Sequence, residues 1–158
     1  MTAPHRSRLM SVEPQWIDYN GHLNMAYYNV LFDRGADDLF EEFGIGPDYP
    51  KTRNFSTFSA EFHVCYLREL KEGDQVYVTS QLIDMDDKRF HFYQELYHED
   101  GWPSATGEGL GLHIDMAGPR VAPMPDDIAA KMRAVFEAHS ALPRPERIGR
   151  RIGIPRKA

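Results

Sequence analysis

Cysteine is nearly missing from this chain of 158 residues: Cys65 stands alone and has no second thiol within the chain to pair with. It lies in the apolar run Phe62 to Leu67, where a thiol packs as a small hydrophobe, so no redox or nucleophilic role is assigned to it. Positive charge is also in short supply, with 18 Lys and Arg against 24 Asp and Glu and a net charge of −6. General nucleic-acid binding is therefore not expected, because phosphate neutralisation supplies most of that affinity. Long apolar runs are absent as well. Nothing approaches the roughly 18 residues needed to cross a bilayer, and the opening MTAPHRSRLMSVEP has no apolar segment of signal-peptide type. The expected address is cytoplasmic, with no membrane partner. No repeat of about 20 to 50 residues is visible, which excludes solenoids and propellers. No H-E-x-x-H or paired-cysteine spacing occurs, so no metal is expected.

What is present suits one folded domain spanning 1–158: 42% hydrophobic and 27% charged residues are globular values. Charge is unevenly placed. Arg144, Arg147, Arg150, Arg151, Arg156 and Lys157 face one acid, Glu146, at the C-terminal end, so a basic tail (143–158) follows an acidic body. Such a tail is either a solvated terminus or a partner for ligand phosphates.

The pattern along the chain predicts a strand over Arg8 to Ile17, then a polar turn, Asp18-Tyr-Asn-Gly-His22. Met25, Tyr28, Phe32, Ala36, Leu39, Phe40 and Phe43 then recur at helical steps, with Asn24 as N-cap and Gly44 as C-terminal stop. Residues 46–54, with Pro47 and Pro50, read as a loop. From Thr57 the period becomes two, placing Phe58, Ala60, Phe62, Val64 and Tyr66 on one face and Ser59, Glu61, His63 and Cys65 on the other. Further strands are expected over Gln75 to Met85, Arg89 to His98 and Ser104 to Asp115, joined by the turns Lys71–Asp74, Asp86–Lys88 and Glu99–Gly101 as an antiparallel meander. A second amphipathic helix is expected over Asp126 to Leu142. This order is α+β, one long helix packed across a curved antiparallel sheet. Gly107, Gly109 and Gly111 alternate within a strand and make no dinucleotide fingerprint; they allow a neighbouring element to approach closely.

Asp18, Asn20 and His22 stand immediately before the helix, in the stretch from Trp16 to Tyr28. This stretch resembles the hotdog-fold thioesterases, which carry a D-x-N/D-x-x-x-x-N-x-x-Y signature between the first strand and the central helix. The D-x-N-x-H spacing is similar to that of plant fatty acyl-ACP thioesterases, whose Tyr-x-x-Glu glutamate Glu69 of Tyr66-Leu-Arg-Glu69 would match. The resemblance runs from about Val12 to Ala117. It implies a hotdog fold, a curved five-stranded antiparallel sheet wrapped around a long central helix plus a C-terminal helix, and a homodimer or dimer of dimers. It also implies hydrolysis of an acyl-CoA, coenzyme A entering as part of the substrate and no cofactor being needed. In the 4-hydroxybenzoyl-CoA thioesterases an aspartate occupies the position of Asn20, so here the base must lie elsewhere, with Asp18, His22, Glu61 and Glu69 as candidates.

Thioester hydrolysis needs donors aimed at a developing oxyanion, which the N-terminus of a helix provides. Gly21, Leu23, Asn24, Tyr27 and His63 are the expected substrate contacts, with Arg150 and Arg151 for coenzyme A phosphates. The bland alternative for Asp18 and Asn20 is helix capping. A hotdog enoyl-CoA hydratase and a non-catalytic acyl-CoA binding module are the competing functions; the hydratase motif D-x-N-P-x-H fails here in spacing and turn. Trp16, Tyr19, Tyr27, Tyr28 and Trp102 are candidates for an aromatic pocket. The W-x-D-Y-N-G-H stretch, with Gly149-Arg150 and Ile154-Pro155, also resembles betainyl-CoA thioesterases of carnitine breakdown.

Overall fold

The structure is a computed structural model that describes residues 3–157. Met1, Thr2 and Ala158, the ends of the expected domain and tail, lie outside the described residues. Two short strands, β1 (His5–Arg6) and β2 (Met10–Ser11), precede a 3-10 turn at Pro14–Trp16. The expected continuous strand over Arg8 to Ile17 is thus broken. Pro14 has no N–H to give a ladder and opens the turn instead. The central helix α1 covers Tyr28–Phe43. Met25–Tyr27 forms a 3-10 turn ahead of it, so Asn24 caps that turn rather than the α-helix itself. Gly44, at φ 81, ends α1 in the left-handed conformation expected of it.

A short helix, α2 (Tyr49–Arg53), occupies what the prolines suggested was loop. Four long strands follow: β3 (Phe55–Tyr66), β4 (Gln75–Met85), β5 (Arg89–His98) and β6 (Pro103–Asp115). The pair β7 (Arg120–Val121) and helix α3 (Asp126–Ser140) complete the chain. All pairings are antiparallel, and the order across the sheet is β1-β4-β5-β6-β3, with β2 also on β4 and β7 on β6. Only β4, β5 and β6 form a meander. The turn Lys71–Asp74 does not join neighbours: β3 pairs with β6 at the far edge, and residues 67–74 carry the chain past the start of α1, anchored by the fully buried Leu70.

A bulge corrects the expected faces of β3. Ser59 opposes Gly111 and Phe62 opposes Gly109, so the register slips at Ala60. Facing residues share a side, which puts Thr57 and Ser59 with Phe62 on the helix side and turns Phe58 outward with Glu61, His63 and Cys65.

The core explains the glycines. On the helix side of β6, a Cβ on Gly107 would stand 2.5 Å from the Phe62 ring, and Gly109 and Gly111 lie directly beneath the rings of Phe92 and Phe90. Phe32, Phe62, Phe92 and Phe90 form a chain of rings with centroids 5.5 to 6.3 Å apart. The side-chain-free strip lets these rings lie flat on the sheet below α1. Gly35 does the same from the helix, where a Cβ would stand 2.5 Å from Val78. This is the hotdog arrangement: a curved antiparallel sheet around one long helix.

A polar knot closes the other end of the core. Fully buried His113 donates from Nδ1 to Ala122 O at 2.8 Å and accepts at Nε2 from the Tyr49 hydroxyl at 2.9 Å. Both bonds suit the neutral ring, and burial holds its pKa below the usual 6.5. A depressed histidine pKa contributes stability that is complete above pH 6.5 and lost as pH falls through it, because the unfolded chain then takes up the proton first. Tyr49→Phe is expected to cost about 1–3 kcal/mol by leaving Nε2 without a donor. Urea denaturation at pH 7.5 and 5.5 checks both points: the wild type loses stability at the lower pH, and the variant is weaker already at the higher one.

Candidate active site

The segment before α1 is folded by its own backbone. Ile17 and Leu23 face each other in an isolated antiparallel bridge. Between them Asp18 N–H donates to His22 O and Gly21 N–H to Asp18 O, both at 3.0 Å. Gly21 sits at φ 75 with nothing within 4 Å of a would-be Cβ, so its turn conformation, not lack of space, calls for glycine. Asp18 Oδ1 accepts from Asn20 N–H at 2.8 Å, an Asx turn that leaves Oδ2 unused.

Three bonds then fix the entry to the helix. Leu23 N–H donates to Leu70 O at 2.8 Å and Asn24 N–H to Trp16 O at 2.9 Å. The Tyr66 hydroxyl donates to Met25 O at 3.0 Å, tying the end of β3 to the same turn. Of the first donors, Ala26 N–H goes to Asn24 Oδ1 and Tyr27 N–H to Asn24 O. Met25 N–H takes no partner among the described residues. The helix start is expected to supply such donors; what residue-type reasoning missed is that the spare one belongs to Met25, just past Gly21 to Asn24.

A cavity of about 340 Å³ opens at this point, lined by Asp18, Asn20, His22, Tyr28, Tyr66 and Glu69, with Leu23, Met25, Leu67 and Arg68. The structure therefore brings together four of the five candidate catalytic residues. Glu61 is not among them: it lies exposed with His63 and Cys65 on the outer side of β3, opposite Leu110. Tyr28 is buried, and burial pushes its hydroxyl above the usual pKa, so it enters the cavity as a neutral group. Its ring meets Tyr66 edge-on at 4.9 Å. Arg68 is turned aside, its guanidinium 3.9 Å over the Trp102 ring.

Met25 and Tyr66 also line a second, larger groove of about 1090 Å³ between α1 and β3. Asp33, Asp37 and Phe40 belong to its helix side, Phe62 and His63 to its strand side, and Phe90 and Phe92 to its floor. Burial, then Asp33 and Glu41, raises the Asp37 carboxyl above its usual range. Of the five aromatic candidates only Tyr28 lines a cavity. Trp16 is core and stacks on Tyr27 at 5.9 Å, Tyr19 is 98% exposed, and Trp102 stacks on His98 at 4.6 Å. Arg150 and Arg151 are exposed on the tail and line neither cavity, although Ile152, next to Arg151, lines the larger one. Among the described residues no three His, Cys, Asp or Glu are grouped to hold a metal ion.

A carboxylate, an imidazole and a helix-start N–H around one small cavity, beneath a hotdog sheet, are groups that hydrolysis of an acyl thioester can use. The chain belongs to the thioesterase-like superfamily, whose model matches residues 12–132. It is 41% identical to a betainyl-CoA thioesterase of Pseudomonas aeruginosa, over 91% of each chain. It is 34% identical to the L-carnitine dehydrogenase/betainyl-CoA thioesterase of Rhizobium meliloti, covering 92% of this chain and 29% of that protein. A Staphylococcus aureus protein solved in complex with CoA superposes with a TM-score of 0.87 at 26% identity, over 98% of this chain and 99% of that one. These relationships support acyl-CoA thioester hydrolysis over the hydratase and the non-catalytic module.

Proposed function

We propose that this acyl-CoA thioesterase takes an acyl group bearing a quaternary ammonium, with betainyl-CoA as its substrate. The observation that carries the hydrolytic part is the meeting of Asp18, His22 and Glu69 with the free Met25 N–H around one cavity. The betainyl part is supported by the 41% identity to a betainyl-CoA thioesterase and by the character of the adjoining groove. A trimethylammonium group has no N–H to donate; it is held by aromatic faces and a negative field. Tyr66, shared by both cavities, offers the face, and Asp33 and Asp37 offer the field. Asp33 stands about 12 Å along the helix axis from Met25, so in one chain it acts through its field rather than by touching a short acyl group bound at the helix start.

In the proposed step the thioester carbonyl oxygen accepts from Met25 N–H at the positive end of the helix. Asp18 takes a proton from water as the water oxygen bonds to the carbonyl carbon. Collapse of the tetrahedral intermediate breaks the C–S bond, the carboxylic acid forms, and coenzyme A leaves as a thiolate that is reprotonated. Asn20 orients the water, His22 is a polar partner near the oxyanion, and Glu69 is a supporting carboxylate. No cofactor takes part. The proposal includes a second copy of the chain: β3 presents twelve residues of backbone at the sheet edge, and residues of both copies build each pocket. Arg150 and Arg151 are assigned to the coenzyme A phosphates.

Two measurements test this. Asp18→Asn keeps the turn's acceptor and removes the basicity, so kcat should fall by about 10²- to 10⁴-fold with the melting temperature unchanged. If Glu69→Gln shows that loss and Asp18→Asn does not, Glu69 is the base. For the acyl group, 3,3-dimethylbutyryl-CoA has the shape of betainyl-CoA without its charge. The ratio of kcat/KM should favour the cation by about tenfold or more. Equal rates on the two, or no turnover of betainyl-CoA, overturn the substrate assignment.

A further inference from the structure

The C-terminal tail crosses the outer face of the sheet along one row of facing residues. Gln81 on β4 faces Tyr93 on β5, Tyr93 faces Glu108 on β6, and Glu108 faces His63 on β3. The tail meets these in order. Gln81 Nε2 donates to Pro143 O at 3.4 Å, and Arg147 lies close enough to act on the Tyr93 phenol. Gly149 N–H donates to Glu108 Oε2 at 2.8 Å. The other oxygen of Glu108 is held by His91 Nε2, also at 2.8 Å, so the carboxylate is braced where it grips the tail.

Ile152 reaches the larger groove, whose lining it shares with residues of β3 that include the outward-facing Phe58 and His63. There the sheet ends and the chain does not. Residues 152–157 remain, and if extended at about 3.3 Å each they reach about 20 Å, the width of about four strands. Their side chains are those of an interface: Ile152 is 91% and Ile154 80% exposed, followed by the cations Arg156 and Lys157. Isolated isoleucines held in water on an ordered path cost free energy until they are covered.

We propose that residues 152–157 form an arm that crosses the β3 edge and docks on the outer sheet face of a second copy of this chain. This rests on the edge-to-edge dimer proposed above. In that dimer the surface next in line after β3 is the partner's sheet, so the row the tail has followed leads onto it. Charge favours the same occupant: Glu61 and Glu95 are outward-facing carboxylates of a net acidic chain, and the arm ends in two cations. Docking would cover both isoleucines and place Arg150 and Arg151 at the junction of the two copies.

The test is photocrosslinking of the full chain carrying Ile154→p-benzoylphenylalanine at micromolar concentration, read on a denaturing gel. A covalent dimer is the expected product. Sedimentation of the wild type and of Ile152→Asp/Ile154→Asp should show the dimer dissociation constant raised by about tenfold or more in the variant, with an unchanged circular dichroism spectrum. A dimeric wild type whose crosslinks stay within one chain, or whose affinity the double substitution leaves intact, overturns the arm and spares the dimer. A monomeric wild type overturns both, while hydrolysis of betainyl-CoA is measured independently of either.

Discussion

Three hydrogen bonds, two of them between backbone groups, pin the start of the central helix: Leu23 N–H to Leu70 O, Asn24 N–H to Trp16 O, and the Tyr66 hydroxyl to Met25 O. Each ties the helix entry to a different segment, namely the crossover to β4, the N-terminal turn and the end of the edge strand. Helix starts leave backbone donors unpaired, and most proteins cover them with a cap or with water. Here Asn24 covers Ala26, the 3-10 turn covers Tyr27, and Met25 N–H is left over a cavity that also holds a carboxylate and an imidazole. Because the donor is fixed before substrate arrives, it needs no reorganisation as charge develops on the carbonyl oxygen.

That pinning works only if the helix lies close to the sheet, and glycine makes the closeness possible. Val78 fills the space that a side chain at position 35 would need, and the rings of Phe62, Phe92 and Phe90 fill the strip over Gly107, Gly109 and Gly111. Volume withheld from the strand is returned as aromatic surface, so the interior stays dense while the helix settles. The same aromatic strip floors the groove that adjoins the small cavity, so under the proposed function the packing of the core also shapes the acyl site.

Much of this was legible in residue patterns because it depends on local periodicity. The three-and-four spacing from Tyr28 to Phe43, the Gly44 stop and the hairpins β4-β5-β6 are set by neighbours along the chain. The D-x-N-x-H stretch and Glu69 met in one cavity because both flank fixed anchors, Leu23 and Leu70. What escaped was non-local or broke a period by one residue. The bulge at Ala60 reverses the faces of Thr57 to Ser59 and turns Phe58 outward, and no composition signal marks a single extra residue. The placing of β3 beside β6 depends on enclosing the helix, not on the turn at Lys71–Asp74, which looks like any hairpin. The tail reads as a basic segment, solvated or meeting ligand phosphates, and no local pattern announces that Glu108 grips Gly149.

The central claim is that water, activated at the helix start by Asp18, attacks a thioester held by the Met25 N–H. A single turnover with enzyme in excess over acyl-CoA, run in ¹⁸O-labelled water and followed by mass spectrometry of the acid and of the peptide holding Asp18, tests it most directly. Direct attack by water places one ¹⁸O in the released acid and none in the peptide. An unlabelled acid with ¹⁸O in the Asp18 carboxylate would mean that Asp18 itself attacks the carbonyl, and would contradict the account.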